Sequence, residues 1–215
     1  MTTRLWLWGG FFALFSTVNY VGRFGGGRPD RNALYQYSTA AGGAIQYAVI
    51  LGLVLGFAVG LSWRDAFALR RPRSWRGAVG LIAAVLVGIY VVAAILDPFL
   101  HPGREQGLTP DRWHPSHAGA YVANFVVVAL VAPIVEELSF RGLGYTLLER
   151  FGRWPAILLV GLAFGLAHGL VEALPLLALF GCALAYIRSR TRSIYPGMIL
   201  HGLFNGIALV AAVTT

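Results

Sequence analysis

Long apolar stretches, separated by short linkers rich in arginine, glycine or proline, make up most of this chain. Seven stretches are predicted to form helices, at about 5–22, 39–62, 77–96, 118–148, 155–171, 174–187 and 194–213. Most of them approach the ~20 apolar residues that cross a bilayer core of roughly 30 Å. The pattern predicts an all-α fold, a polytopic transmembrane bundle of about seven membrane helices with a site inside it.

Details of three stretches refine this picture. The fifth and sixth are near the shortest length that spans a bilayer, so they can also be interpreted as re-entrant or tilted segments. The third is expected to stop at Asp97-Pro98, because proline interrupts helical hydrogen bonding. In the second, Gly52, Gly56 and Gly60 recur at every fourth residue, a small-xxx-small spacing that predicts a close contact with another helix.

Composition supports a membrane protein. Of the 215 residues, 57% are hydrophobic and only 12% are charged, whereas a soluble domain carries about 25% charged residues. This excludes an ordinary soluble protein and favours a single membrane domain over residues 1–215.

Charge carries information about topology. The net charge of +8 comes from arginines alone, and these cluster between the apolar stretches. We therefore interpret them as topology signals and expect no nucleic-acid partner. When seven spans are threaded, most arginines fall on one side, and the positive-inside rule places the N-terminus in the cytoplasm and the C-terminus outside. The first stretch lacks a clear cleavage site and is expected to remain as a membrane helix.

Six polar residues within the later apolar stretches form a candidate functional site: Glu136, Glu137, Arg141, His168, His201 and Asn205. Carboxylates at membrane depth cost several kcal/mol unless they are paired, protonated or used in function. Helix rise places Glu136, His168 and His201 about 21, 22 and 14 Å from the nearest predicted cytoplasmic arginines. Three helices thus present polar groups within one layer.

Spacing suggests different roles for the two glutamates. Glu137 and Arg141 lie four residues apart and share a helix face, as do His201 and Asn205. The first pair is equally consistent with a buried structural ion pair, and Asn205 with an interhelical hydrogen bond. Glu136 has no cation of its own, which makes it the stronger functional candidate.

The remaining polar residues carry weaker signals. We interpret the loop residues His101, His114 and His117 as solvated rather than as a metal site. Cys182 is the single cysteine, so it has no disulfide partner, and it is interpreted as a small core residue. Glu172 is expected at the membrane interface.

The side chains of the candidate site suit peptide hydrolysis, which needs an activated water, a proton shuttle and donors for the tetrahedral oxyanion. Zinc is the competing interpretation, because two histidines and one glutamate are a known ligand set that leaves the other glutamate as base. The ligands would come from three helices without a local His-x-x-x-His pair. Metal-free glutamate chemistry is therefore favoured, and zinc remains possible.

The ordered motifs resemble those of the CPBP family, which comprises CAAX prenyl endopeptidases and bacteriocin-processing or self-immunity (Abi) proteins. They are Glu-Glu-x-x-x-Arg at 136–141, Phe-x-x-x-His at 164–168 and His-x-x-x-Asn at 201–205. The resemblance covers about residues 118–210. It implies a catalytic core over 118–215, with residues 1–117 supplying the first three helices.

The same resemblance implies roles for individual residues. Glu136 would activate water with help from His168, and His201 with Asn205 would stabilise the oxyanion. Glu137 and Arg141 would shape the electrostatics of the site. The family has been described both as metalloproteases and as metal-independent glutamate proteases.

Three functions follow from these observations. The favoured one is an intramembrane endopeptidase that cuts a peptide or membrane protein near a terminus. The others are a non-enzymatic self-immunity or peptide-binding membrane protein and a proton-coupled transporter; the transporter is disfavoured because no inverted repeat is evident. Motifs of other intramembrane proteases, such as His-Glu-x-x-His and Gly-x-Gly-Asp, are absent. The arginine-only composition suggests a bacterial or archaeal membrane. Prenylated substrates are not expected in bacteria, so the resemblance implies the reaction type rather than the substrate.

Overall fold

The computed structural model describes residues 2–26, 30, 32–100, 105, 110 and 112–214, and all regular secondary structure in these ranges is helical. In chain order its helices are α1 (Thr2–Gly25), α2 (Tyr37–Phe57), the short α3 (Trp63–Ala66), α4 (Trp75–Leu100), α5 (Pro115–Phe151), α6 (Arg153–Ala167), α7 (Leu174–Thr191) and α8 (Tyr195–Thr214). The prediction of an all-α fold is confirmed.

Four of the described helices are long and apolar enough to cross a membrane, namely α2, α4, α5 and α8. Helix α6 is also apolar but has 15 residues, a length of about 22 Å that is shorter than the ~30 Å bilayer core. Helices α1, α6 and α7 cover the other three predicted stretches. The chain is thus an integral membrane protein, and the count of seven spans stays a prediction.

Helices α6 and α7 form a closely packed antiparallel pair. A Cβ added at Gly161 would lie 2.6 Å from the backbone nitrogen of Cys182, and one at Gly165 would lie 2.9 Å from that of Ala178. The later glycine of α6, Gly165, meets the earlier residue of α7, Ala178, so the two helices run in opposite directions. Pro175 lies in the first turn of α7, where its missing N–H costs no helical hydrogen bond.

The predicted glycine contact of α2 is wrong. Among the described residues, a Cβ added at Gly52 or Gly56 would meet nothing within 4 Å, and Gly60 follows the helix with a φ of +79°. The close approach occurs instead at Gly43, where a Cβ would lie 3.1 Å from Cγ1 of Val127 in α5. Regular spacing shows which residues share a helix face, but it does not show whether another helix packs on that face.

Helix α4 also departs from expectation, since it continues to Leu100 rather than stopping at Asp97-Pro98. Pro98 gives up one helical hydrogen bond, to the carbonyl four residues earlier, and the helix continues for two residues beyond it. The proline therefore marks the approach of the helix end rather than the end itself.

Helix α5 contains two π-helical stretches that the sequence pattern did not predict, Val127–Val131 and Glu137–Gly144. Pro133 follows the first stretch, and its ring crowds the carbonyl four residues earlier, which a wider π turn accommodates. The second stretch packs against α1, where the Trp8 indole Nε1 donates a 2.9 Å hydrogen bond to the carbonyl of Ser139. This stretch carries Glu137 and Arg141, so the irregular part of α5 is also its most polar part.

The glycine packing of α6 can be tested by a matched pair of substitutions. Gly165→Ala should lower the free energy of unfolding by about 1–3 kcal/mol, because the added methyl group forces the α7 backbone to move. Gly52→Ala should cause no loss, since its Cβ meets open space and alanine is the better helix former. Thermal unfolding of the detergent-solubilised protein measures both, and equal behaviour of the two variants would contradict the close approach.

Candidate active site

The centre of the site is a buried ion pair within α5. Arg141 Nη1 lies 3.1 Å from Glu137 Oε1, and neither side chain has any solvent exposure. Arg141 Nη2 donates to the carbonyl of Gly181 in α7 at 3.2 Å, and its Cζ lies 4.2 Å from the ring centroid of Phe164 in α6. The guanidinium therefore joins α5 to both helices of the antiparallel pair through a hydrogen bond and a cation–π contact.

His201 links the two adjacent glutamates from α8. Its Nδ1 lies 3.1 Å from Glu137 Oε1, and its Nε2 lies 3.6 Å from Glu136 Oε2. The rings of Phe164 and Phe180 meet the imidazole edge-on, with centroids 5.5 and 5.4 Å away. Aromatic packing and the buried carboxylate of Glu137 thus hold the imidazole with one nitrogen directed at each glutamate.

Glu136 is partly exposed and borders cavities within the bundle. Its side chain is 14% exposed, in contrast to the fully buried Glu137. The hydroxyl of Tyr47 in α2 donates a 2.6 Å hydrogen bond to Glu136 Oε1. Tyr47 was not predicted as a site residue, although the sequence contains a signal for it: after Thr39, Gln46 and Tyr47 are the only polar side chains of α2.

His168 lies at the C-terminal end of α6 rather than within the helix as predicted. It occupies the C-cap position, and Gly169 after it takes a φ of +64°, a left-handed conformation that commonly ends helices. His168 Nδ1 is 2.7 Å from the carbonyl of Phe164. Because a carbonyl can only accept, Nδ1 carries the hydrogen, and Nε2 of the neutral ring is left as an acceptor.

Residues of the N-terminal half hold the turn that carries His168. Asn19 Nδ2 donates to the carbonyl of Ala167 at 2.7 Å. The carboxylate of Glu105 accepts from the backbone N–H groups of Val171 and Ala173 at 2.7 and 3.0 Å and pairs with Arg23 Nε at 2.9 Å. Glu105 and Arg23 were not identified from the sequence, since both lie outside the apolar stretches that drew attention to polar residues.

Asn205 reaches the same region from α8. Its Nδ2 donates to the carbonyl of Val128 at 2.9 Å, in the first π-helical stretch of α5. A side-chain amide carries two N–H donors, so one hydrogen remains after this bond. Asn205 therefore contributes to packing between α8 and α5 and still has a donor at the cavity that it lines.

Two cavities meet at Glu136. The α8 cavity, of about 380 Å³, is lined by His201, Phe204 and Asn205 of α8 and by Phe164 and Phe180. The α1 cavity, of about 370 Å³, is lined by Phe12, Phe15, Asn19 and Arg23 of α1 and by Gln46 and Phe140. Both also include Tyr47, Glu136, His168 and Leu170. Each has a volume typical of a ligand pocket, and Glu136 with His168 lies where they join.

The zinc alternative makes a specific demand on the geometry of the site. A His₂Glu site needs His168, His201 and one glutamate to converge on one point. Among the residues that the structure describes, no group of three His, Cys, Asp or Glu side chains is arranged to hold a metal ion. His201 Nδ1 and His168 Nδ1 are directed at protein oxygens, which leaves Nε2 of each ring for a further partner.

The other polar residues singled out in the sequence lie apart from this site. His114 and His117 pack against the ring of Tyr35, and His101 lies outside the described residues. Cys182 is partly buried against Gly161 in the α6–α7 contact. Glu172 is exposed.

Comparison with known families gives a match in the C-terminal half of the chain. Residues 118–207 match the family model described as Rce1-like, type II CAAX prenyl endopeptidase Rce1-like. The matched segment contains all six polar residues singled out in the sequence, whereas Tyr47, Arg23 and Glu105 lie before it. Comparison with curated proteins and with solved structures finds no match.

The buried ion pair leads to a stability prediction. Arg141→Met should lower the free energy of unfolding by about 3–5 kcal/mol, because Glu137 then stays buried without its cation. The double variant Glu137→Gln/Arg141→Met should recover part of that loss, since no unpaired charge remains. Denaturant unfolding of the detergent-solubilised protein measures both changes.

A surface pair provides the control for this prediction. Asp65→Asn removes the exposed partner of Arg70, 3.4 Å away, and should change the free energy of unfolding by about 1 kcal/mol or less. A loss in Arg141→Met no larger than that in Asp65→Asn would contradict the importance assigned to the buried pair.

Proposed function

Through residues 118–207 this chain belongs to the CAAX protease (CPBP) family, and on that premise we propose that it is an intramembrane endopeptidase that uses glutamate-activated water. Its substrate would be a peptide or membrane protein cut near a terminus. The observation that carries the proposal is the position of Glu136, a partly exposed carboxylate at the junction of two cavities in an apolar bundle. Carboxylates rarely occupy such a place without a function.

The proposed reaction begins with Glu136 as general base. Glu136 takes a proton from water as the water oxygen bonds to the carbonyl carbon of the scissile peptide, giving a tetrahedral oxyanion. The C–N bond then breaks, and the proton on Glu136 passes to the leaving amine nitrogen. Atoms and charge balance over the cycle, and the carboxylate is regenerated. Positioned general acid–base catalysis of this kind contributes about 10²–10⁴-fold to a rate.

His168 is proposed to assist Glu136. It lines both cavities with Glu136, and its Nδ1 hydrogen is held by the Phe164 carbonyl. Nε2 of the neutral ring is therefore an acceptor that can receive a hydrogen bond from the attacking water. The hydrogen bond to the backbone carbonyl fixes the tautomer, because the partner of one ring nitrogen determines which nitrogen carries the hydrogen.

The oxyanion is proposed to bind at the α8 side of the site. Asn205 retains one amide hydrogen after its bond to Val128, and it lines the α8 cavity. His201 directs Nδ1 at Glu137, so it can donate from Nε2 only as the imidazolium. Removing one oxyanion donor costs about 2.7–4 kcal/mol of transition-state stabilisation in a well-studied protease.

Glu137 and Arg141 are proposed to organise the site without contacting substrate. Neither side chain is exposed, and neither lines the two cavities. Glu137 holds His201 through Oε1, and Arg141 balances the charge of Glu137. Their contribution to the reaction is thus the orientation of His201 and the electrostatic field around Glu136.

The two cavities suggest how a peptide binds. With Glu136 and His168 at the junction, the chain on each side of the scissile bond would occupy one cavity. The α8 cavity presents His201 and Asn205 among aromatic and aliphatic side chains, and the α1 cavity presents Arg23, Asn19 and Gln46 beside Phe12 and Phe15. We propose that each cavity accepts a substrate segment of mixed polar and apolar character.

Replacing Glu136 tests the proposed function. Glu136→Gln should abolish cleavage while thermal unfolding stays close to that of the wild type, because the amide keeps the shape of the side chain and loses only the base. Mass spectrometry of peptide termini in membranes from cells that express each variant measures cleavage. Glu172→Gln, at an exposed site after His168, is the matched control and should cleave as the wild type does.

The other outcomes separate the competing functions. Full cleavage by Glu136→Gln would reject the assigned base. No cleavage by any variant, together with a biological effect that survives Glu136→Gln/His168→Gln, would favour a peptide-binding or self-immunity protein. Proton flux in proteoliposomes that depends on Glu136 would favour a transporter.

The metal-free chemistry has a separate test. Purified protein that has been stripped with chelators and then dialysed should keep its cleavage rate, since we propose that the side chains of Glu136 and His168 activate water without a cation. Elemental analysis of the same sample should find zinc far below one equivalent per chain. Loss of activity on stripping and its return with Zn²⁺ would reject this chemistry.

A further inference from the structure

We propose that Tyr47 is a positioning residue for Glu136, supplied to the active site by the N-terminal half of the chain. The inference rests on the proposed function, in which Glu136 is the base. Tyr47 lies in α2, before the segment 118–207 that matches the protease family. The site would thus depend on a residue that the family motifs do not contain.

The first argument is the bond between the two side chains. The 2.6 Å separation of the Tyr47 hydroxyl from Glu136 Oε1 falls in the range of short, charge-assisted O–H···O⁻ bonds. The other oxygen, Oε2, lies 3.6 Å from His201 Nε2. That distance is longer than a hydrogen bond, so the Tyr47 hydroxyl is the donor that orients the carboxylate relative to the cavity junction, with the imidazole of α8 near the other oxygen.

The second argument is the place of Tyr47 in the bundle. It lines both the α1 cavity and the α8 cavity, as do Glu136 and His168. The Glu136 carboxylate borders both cavities, and the hydrogen bond from Tyr47 restricts its rotation between them. A single hydroxyl bond at this point restricts the base to the geometry in which water and the scissile carbonyl meet.

The third argument is that the packing of α2 holds Tyr47 close to α5. Gly43 lies one helical turn before Tyr47 and on the same face. A Cβ added at Gly43 would lie 3.1 Å from Val127 Cγ1, so the glycine permits α2 to approach α5 closely. Ile50 and Val54 continue this side of α2 into the core.

A comparison with Tyr121 separates this role from ordinary packing. The Tyr121 hydroxyl also makes a 2.6 Å hydrogen bond, but to the backbone carbonyl of Leu209. That bond ties α5 to α8 and touches no catalytic group. Tyr47 and Tyr121 are therefore a matched pair: both lose one short hydrogen bond on replacement by phenylalanine, and only Tyr47 orients the base.

Kinetics of the two phenylalanine variants test the proposal. Tyr47→Phe should lower kcat by about 10–100-fold, the scale expected when a catalytic group is misplaced by a fraction of a bond length, with KM within twofold of the wild type. Tyr121→Phe should leave both constants within twofold. The substrate is a quenched fluorescent peptide that carries the sequence cleaved in the terminal-peptide comparison of wild type and Glu136→Gln.

The outcomes distinguish this inference from the proposed function. If Glu136→Gln is inactive and Tyr47→Phe keeps its full kcat, Tyr47 does not position the base, and the function stands. If Tyr47→Phe raises KM alone, the tyrosine is a wall of the substrate site and the proposal is wrong. If Glu136→Gln stays active, the assigned base itself is wrong.

Infrared spectroscopy supplies a test that requires no substrate. The difference between wild type and Glu136→Gln isolates the carboxylate band of Glu136, and the same subtraction in a Tyr47→Phe background isolates it without the hydroxyl bond. The band should shift between the two backgrounds and should not shift in a Tyr121→Phe background. An unshifted band in Tyr47→Phe would overturn the proposal even where the variant unfolds too readily for kinetics.

Discussion

The ion pair between Glu137 and Arg141 has no contact with solvent, and much of the surrounding packing serves to keep it paired. Breaking such a pair leaves an uncompensated buried charge, which is far costlier than the loss of one apolar contact. Arg141 donates a hydrogen bond to the Gly181 carbonyl and lies over the face of Phe164, and Glu137 contacts His201 Nδ1. The hydrophobic effect supplies little attraction between helices in lipid, where close packing and interhelical hydrogen bonds drive association, so these polar contacts help to hold α6, α7 and α8 around α5.

Two adjacent glutamates acquire different environments because consecutive helical residues point in different directions. Glu137 turns inward to Arg141 and His201, whereas Glu136 turns toward the cavities. His201 connects the two, with one nitrogen near each carboxylate. A buried carboxylate that orients an imidazole, which in turn faces a second group at the cavity, follows the general logic of catalytic groups that are aligned by a third partner.

The helices before the family segment take part in building the site. Asn19 of α1 bonds to the backbone at the end of α6, and Glu105, paired with Arg23, accepts two backbone N–H groups of the following turn. These contacts hold the turn that carries His168. Trp8 supports the π-helical stretch with Glu137 and Arg141 from the other side. The motif residues thus depend on a scaffold that lies largely outside the matched segment 118–207.

What the sequence determined by itself was the helical class, the approximate helix limits and the spacing of Glu137 and Arg141 on one face, since apolar periodicity and local spacing are properties of a single helix. Three features could be found only from the packed bundle: Tyr47 bonds to Glu136, Gly43 rather than Gly52 makes the close contact, and His168 ends its helix. These features depend on which helices become neighbours and at what depth. The pattern of polar residues along one helix does not identify the helix that packs against it, so these contacts could not be predicted from the sequence.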